Sequence, residues 1–195
     1  MIAEALKFIT ELLDYELNLA FGEKREGRVI ASNLLSLDGS VMDKVNNKIV
    51  VTVINLEQET TRKHITNYMN DGGRNYGKVA PPVQFNLYVL ISANYDSSDN
   101  YLEANRMLSS VIGVFQAHPY FSRGGKIKME PPLEKLTFEI FNVGINELSH
   151  IWSGIGAKYM PSIIYKIRML SIQEDKVHKE VPAVTGLGSD AKPNS

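Results

Sequence analysis

The sequence predicts a mixed α+β domain: an N-terminal helix, about four long strands in one mixed sheet, helices packed on that sheet, and a flexible C-terminal tail. Three patterns predict it. Residues 2–20 repeat their apolar side chains at helical spacing, residues 49–56 and 83–95 read as strands, and helical periodicity returns between the later strands. With 195 residues and 44% hydrophobic content, one core suffices, because a chain of this length buries roughly 70% of its unfolded surface. The expected division is a domain over residues 1–173 and a polar tail over 174–195.

In the leading helix, Ile2, Ala5, Leu6, Ile9, Leu12, Leu13, Leu17 and Ala20 share one side, and Phe8, Tyr15 and Leu19 widen it. Glu4, Lys7, Glu11, Asp14 and Asn18 lie opposite. So broad an arc exceeds what a helix resting on one sheet needs. Phe8, Tyr15 and Leu19 are therefore candidates for contact with a second copy, as is Glu16, a carboxylate inside the arc that needs a partner or solvent. The plainer reading seats the helix in a groove of its own domain.

Residues 28–31 read as a short strand and 36–40 as a turn cluster. Residues 49–56 are almost continuously apolar and β-branched, the pattern of a central strand covered on both faces. Residues 83–95 alternate Phe85, Leu87, Val89, Ile91 and Ala93 against Gln84, Asn86, Tyr88, Leu90 and Ser92, which predicts one strongly apolar face. The turn 96–100 can cap a helix running to about Ala117, with Tyr101, Ala104, Leu108, Val111, Ile112 and Phe115 inward and Pro119 ending it. A third long strand follows at 136–141. Asn146 is expected to cap a helix carrying Leu148, Ile151, Trp152, Ile155 and Tyr159 on one side. The last strand, 162–173, sets Ile163, Tyr165, Ile167 and Met169 against Lys166 and Arg168. From Glu174 onward few apolar side chains offset the ordering entropy, hence the expected tail.

Composition removes several function classes. There is no cysteine, which excludes disulfides, thiolate zinc sites, iron–sulfur clusters and a cysteine nucleophile. A formal charge of -1 supplies no whole-molecule field for nucleic acid or an anionic membrane, so neither is an expected partner. The opening residues lack the basic start and apolar run of a secretion signal, and no segment approaches the roughly 18 uncharged apolar residues of a membrane helix. Cytoplasmic synthesis and folding are expected.

Catalytic signatures are sparse. Gly124-Gly125-Lys126 and Gly72-Gly73-Arg74 lack the spacing of a phosphate loop, Gly154-Ile155-Gly156 lacks the third glycine of a dinucleotide fingerprint, and no nucleophile elbow occurs. His64, His118, His150 and His178 form no pair at helical ligand spacing, so no metal or cofactor is expected. Glu57 and Glu59 alternate at a strand end and, with His64, define a rival reading as a small-molecule-binding or hydrolytic domain; a solvated strand terminus is the ordinary one. Residues 58–82 form a long polar stretch in which Arg62, Lys63, His64, Arg74, Asn75 and Lys78 are interleaved with Tyr68 and Tyr76. Such a patch can neutralise phosphates and stack bases, but Glu57, Glu59 and Asp71 dilute it, and a protein surface fits equally well.

Four stretches carry a family resemblance. They are Ile2-Ala3-Glu4-Ala5-Leu6-Lys7-Phe8-Ile9; Arg74-Asn75 followed by Pro81-Pro82-Val83-Gln84-Phe85-Asn86-Leu87-Tyr88-Val89-Leu90; Ala117-His118-Pro119; and Glu147-Leu148-Ser149-His150-Ile151-Trp152 followed by Ser162-Ile163-Ile164-Tyr165-Lys166-Ile167-Arg168. In order, spacing and residue class, over about residues 2–172, the chain resembles the tail-terminator, or cap, proteins of extracellular contractile injection systems, antifeeding-prophage-like particles related to contractile phage tails.

The resemblance implies a structural, non-enzymatic protein that assembles as a ring, of six copies, on the baseplate-distal end of tube and sheath, where it stops tube growth and anchors the last sheath layer. Its implied partners are further copies of itself, the inner tube protein and the sheath protein, first in the cytoplasm and then in a released extracellular particle. In that setting Phe8, Tyr15, Glu16 and Leu19 are the ring-contact candidates. Arg62, Lys63, His64, Tyr68, Arg74, Asn75, Tyr76 and Lys78 are the candidates for tube or sheath contact, and the tail is a candidate for strand addition to sheath subunits. Two other readings stand beside it: a baseplate or tube-initiating adaptor of the same kind of particle, and the hydrolytic rival.

Overall fold

A computed structural model places helix α1 at Ile2–Phe21, where Ala5, Phe8, Ile9, Leu12, Leu13 and Leu17 are buried. The helix stops at Gly22, whose positive φ of 66° suits glycine and whose N–H reaches the Asn18 carbonyl at 3.1 Å. At the other end the Met1 ammonium meets the Glu4 carboxylate. The structure describes residues 1–22, 27–36, 38–60, 68–70, 75–79, 83–95, 100–125, 127–172 and 177–182, with backbone alone at 68–70, 75–79, 169–172 and 177–182.

Two compact units emerge, Met1–Glu59 with Gln84–Ser171, and Thr60–Val83 with Ile172–Ser195. The first is built on a six-stranded sheet. Its strands are β1 (Val29–Ala31), β2 (Lys48–Gln58), β5 (Val83–Asn94), β6 (Tyr120–Ser122), β7 (Lys135–Ile140) and β8 (Ser162–Ile172), in the order β1-β2-β5-β8-β7-β6. β1 runs parallel to β2, whereas β2 with β5, β7 with β8, and β6 with β7 are antiparallel. Ala93 N donates to Pro161 O at 3.0 Å, and Lys166 stands over the Tyr88 ring, so β8 advances as β5 retreats and this pair is antiparallel as well. The sheet is mixed, as expected.

Helices cover both faces. α1 and α2 (Tyr101–Ala117) pack on one, where Met107, Val111 and Phe115 join Leu87, Val89, Ile91, Leu136, Phe138 and Ile167. Phe115 stacks on Phe138 with ring centroids 4.3 Å apart, and Tyr165 closes the cluster 4.8 Å from Phe115. On the other face α3 (Ile145–Ile155) brings Trp152 against Val50, Leu90, Ile164 and Leu34, beside the 3-10 turn Asp43–Val45. Cover on both sides explains why Leu90 and Ser92, on the second face of the β5 alternation, are buried too, while Tyr88 on the same face lies under Phe141. β2 has the same double cover only over its first half; beyond Ile54 it is exposed.

Other departures are local. α3 starts after Gly144, whose N–H bonds the Glu147 carboxylate at 2.9 Å, so Asn146 is inside the helix rather than its cap. Tyr101 is exposed, not inward, and Tyr159 lies beyond α3 with its ring 5.8 Å from Trp152. The three-residue β6 was not expected.

The second unit holds a three-stranded sheet of β3 (Tyr68–Asn70), β4 (Asn75–Val79) and β9 (Val177–Pro182), in the order β3-β4-β9. Both pairings are antiparallel, Met69 facing Gly77 and Gly77 facing Glu180. Strands therefore stand where sequence patterning indicates a polar loop and the start of a tail. They are short and polar, and β4 takes its second partner from the far end of the chain, so no local alternation announces them. The expected flexibility of residues 183–195 lies outside the described residues.

Candidate assembly surfaces

The half of β2 beyond the helical cover builds the most organised polar cluster of the first unit. A bulge shifts the register between Val53, opposite Val89, and Asn55, opposite Tyr88, leaving Ile54 as the extra residue. Past it, Tyr88 Oη donates to Glu57 Oε2 at 2.6 Å, Lys166 Nζ donates to the same oxygen at 3.1 Å, and the ammonium stands 5.2 Å from the Tyr88 ring centroid. The Tyr88 hydrogen bond first, and Lys166 second, hold the Glu57 carboxyl below its ordinary range. Lys166 is correspondingly pushed up by its contacts with Tyr88 and Glu57. Glu59 takes a separate hydrogen bond from Asn86 Nδ2 at 3.1 Å, and Arg168 pairs with Glu139 at 2.8 Å. The two carboxylates singled out in the sequence thus differ in their main partners, with Asn86 near both, and His64, the third member of the hydrolytic reading, lies outside the described residues.

Beside this cluster a groove of about 700 Å³ opens between β2 and α3. Ile54, Ile151 and Ile155 wall it, Glu57 and Tyr88 form its polar end, and Phe141 stands edge-on to Tyr88 with ring centroids 4.9 Å apart. Gly154 also lines it, and a Cβ added there would meet nothing within 4 Å.

A second groove, of about 680 Å³, runs between the outer side of α1 and the start of β1, with Tyr15, Leu19 and Val29 among its lining. Tyr15 is 49% and Leu19 69% exposed. The floor is tied down: Asp14 accepts from Val29 N at 3.2 Å and from Asn18 Nδ2 at 3.3 Å, and Asn18 Oδ1 accepts from Arg28 Nε at 3.0 Å. Glu16 is half-buried beside a smaller cavity that His118 and Phe121 also line. Phe8 needs correction. It is only 4% exposed, its ring 5.6 Å from Phe121, and it belongs to this chain's core, where it forms part of the wall of that cavity. Periodicity groups residues on one side of a helix without saying what covers them.

Of the basic and aromatic candidates between 58 and 82, Arg62, Lys63, His64 and Arg74 lie outside the described residues. Tyr68 faces Lys78 across β3–β4, Asn75 faces Pro182, and Tyr76 faces Asn70 on one side and Val181 on the other. Among the described residues no group of three acidic, histidine or cysteine side chains is placed to hold a metal, and no helix is long and apolar enough to cross a membrane.

This arrangement has known counterparts. The sequence profile of the Pvc16 N-terminal domain matches residues 8–186. The chain belongs to the Pvc16 N-terminal domain family. No curated protein matches it significantly. Among solved structures, the sheath/tube terminator of PVC, an extracellular contractile injection system, in its extended state, superimposes with a TM-score of 0.66 and 14% identity, covering 100% of this chain and 64% of that one. The tube-terminating cap of the anti-feeding prophage gives 0.50 and 17%, covering 75% of this chain and 50% of its own. This family member therefore spans 64% and 50% of the lengths of those two neighbours. At these identities the likeness is one of fold, and it agrees with the tail-terminator resemblance read from the sequence.

Proposed function

We propose that this protein is a structural, non-enzymatic terminator of a contractile injection system. It forms a ring of six copies on the baseplate-distal end of the inner tube and sheath, ends tube polymerisation and anchors the last sheath layer. The observation that carries the reading is that all of this chain superimposes on part of a sheath/tube terminator, within a family profile spanning residues 8–186. A terminator needs one surface for its neighbour in the ring and another for the tube, with none that admits a further layer. The exposed Tyr15 and Leu19 beside β1 support a ring contact, and the basic and tyrosine residues between 62 and 78 support contact with tube or sheath. Assembly takes place in the cytoplasm before release in the particle.

Deleting the gene tests this. Tubes and sheaths of uncontrolled length with intact baseplates are the expected result. Particles of normal length would contradict it, and loss of the baseplate would favour an adaptor at the opposite end.

A further inference from the structure

Several features meet in the groove between β2 and α3 that the chain's own packing does not require. The bulge puts Ile54, which has no partner in the ladder, in the groove wall. Gly154 lies in the last turn of α3, where a larger side chain would meet nothing. Phe141 remains 41% exposed over an apolar wall. At the polar end, Tyr88 and Lys166 both bond Glu57 Oε2 and Asn86 stands beside the carboxylate, which is 49% exposed and can still receive another donor.

A matching shape lies on the opposite side of the sheet. Along α2, Leu102, Arg106, Ser109 and Gly113 follow one another at i, i+4, i+7 and i+11, which puts them on a single outward stripe. Leu102 is 70% exposed, Arg106 makes no ion pair among the described residues, and Gly113 is a helix-interior glycine with nothing within 4 Å of an added Cβ. The stripe is apolar, then cationic one turn on, then small, so its backbone can come close to a facing surface. Other exposed apolar side chains fit less well. Tyr15 and Leu19 share α1 with Glu11 and Glu16, Ile145 precedes Glu147, Lys135 is engaged over the Tyr120 ring at 4.9 Å, and Tyr159 rests on Trp152 on the groove's own side.

We propose that α2 of one copy docks in the β2–α3 groove of a second copy, with Leu102 between Ile54 and Ile155 and Arg106 meeting Glu57. α2 belongs to the core on one face of the sheet, and the groove wall belongs to the cluster on the other. The contact is therefore heterologous: each copy offers a stripe to one neighbour and a groove to the next, and the series closes into a ring or runs on as a filament. For its closure the contact rests on the ring reading above.

Because the chain has no cysteine, Leu102→Cys and Gly154→Cys introduced together can be oxidised without competing thiols. A ladder of disulfide-linked multimers is expected from the double variant, and a linked dimer when the two single variants are mixed. In sedimentation velocity, Glu57→Arg and Arg106→Glu should each weaken self-association about tenfold or more, and both in one chain should restore it. The proposal is overturned by a wild-type chain that stays monomeric up to about 100 µM with no ladder from the double cysteine variant. Charge reversals that leave association unchanged, or a combined variant that fails to recover it, overturn it equally. A chain that still caps purified tubes when these tests fail forms its ring through another surface. One that associates through the groove yet ignores tube ends contradicts the terminator reading instead.

Discussion

The carboxylate of Asp14 in α1 accepts the backbone N–H of Val29 at 3.2 Å, so a helix side chain secures the outermost strand of the six-stranded sheet. It also blunts that edge, because an N–H held by a carboxylate is not free to pair with another strand. Asn18 bonds the second oxygen of Asp14 and links it to Arg28, a 4% exposed guanidinium that also stands 5.8 Å over the Phe21 ring.

Asp14→Ala should therefore lower stability by about 1–3 kcal/mol, the usual cost of leaving a buried donor without its acceptor. Asp14→Asn, which keeps an acceptor oxygen, should recover most of it. Denaturant midpoints measure both, and an alanine variant as stable as the wild type would show that the helix does not hold the strand.

Glu57 gives a pH signature. Its folded value lies below the ordinary 4.5 because Tyr88 and then Lys166 bond the ionised form. The stabilisation is complete above the unfolded value and is lost as pH falls through the lower folded one, so it fades on the acid side of about 4.5. Tyr88→Phe removes the larger cause. An NMR titration of the Glu57 carboxyl should then show its midpoint rising toward 4.5, and an unmoved midpoint would remove Tyr88 as the cause.

Tyr165 gives the alkaline counterpart. Burial pushes its hydroxyl up to about 12, and the hydroxyl has no hydrogen-bond partner among the described residues. The unfolded chain ionises first, so stability is unaffected below about pH 10 and falls as pH rises from 10 toward 12. Tyr165→Phe should cost no stability at neutral pH and should reduce the alkaline loss. Thermal melts across the pH range measure both; a variant clearly less stable than the wild type at pH 7 would mean that the hydroxyl is bonded.

How much of this could be read without coordinates depended on how local each cause was. The helical period of Ile2 to Leu17 and the β-branched run from Ile49 to Val53 are local, and α1, β2, β5, α2 and β8 stand within a few residues of where patterning puts them. The pairing of Tyr76 with Val181 is not local, nor is the meeting of Glu57 with Lys166, 109 residues away. Glu57 was legible as a carboxylate at a strand end. Its fixing by Tyr88 and Lys166 was not, because β5 and β8 supply the partners. Phe8 shows the same limit from the other side: its spacing marks it apolar, and only the packing of Phe121 makes it core. The proposed contact was not legible either, because the α2 stripe and the β2–α3 groove come together only through the fold.

For the basic residues between 58 and 82, Arg62→Glu together with Arg74→Glu should weaken capture of purified tube ends while shifting stability by less than about 0.5 kcal/mol. Capture counted in electron micrographs, beside a thermal melt, separates the outcomes. Unchanged capture removes these arginines from the tube contact, and a large drop in Tm assigns them to the framework of the fold.

The most direct measurement is the position of this subunit on an assembled particle, read by cryo-electron microscopy with a label fused to the chain. Density confined to the end of tube and sheath remote from the baseplate is the predicted result; label spread along the shaft or gathered at the baseplate would contradict the account.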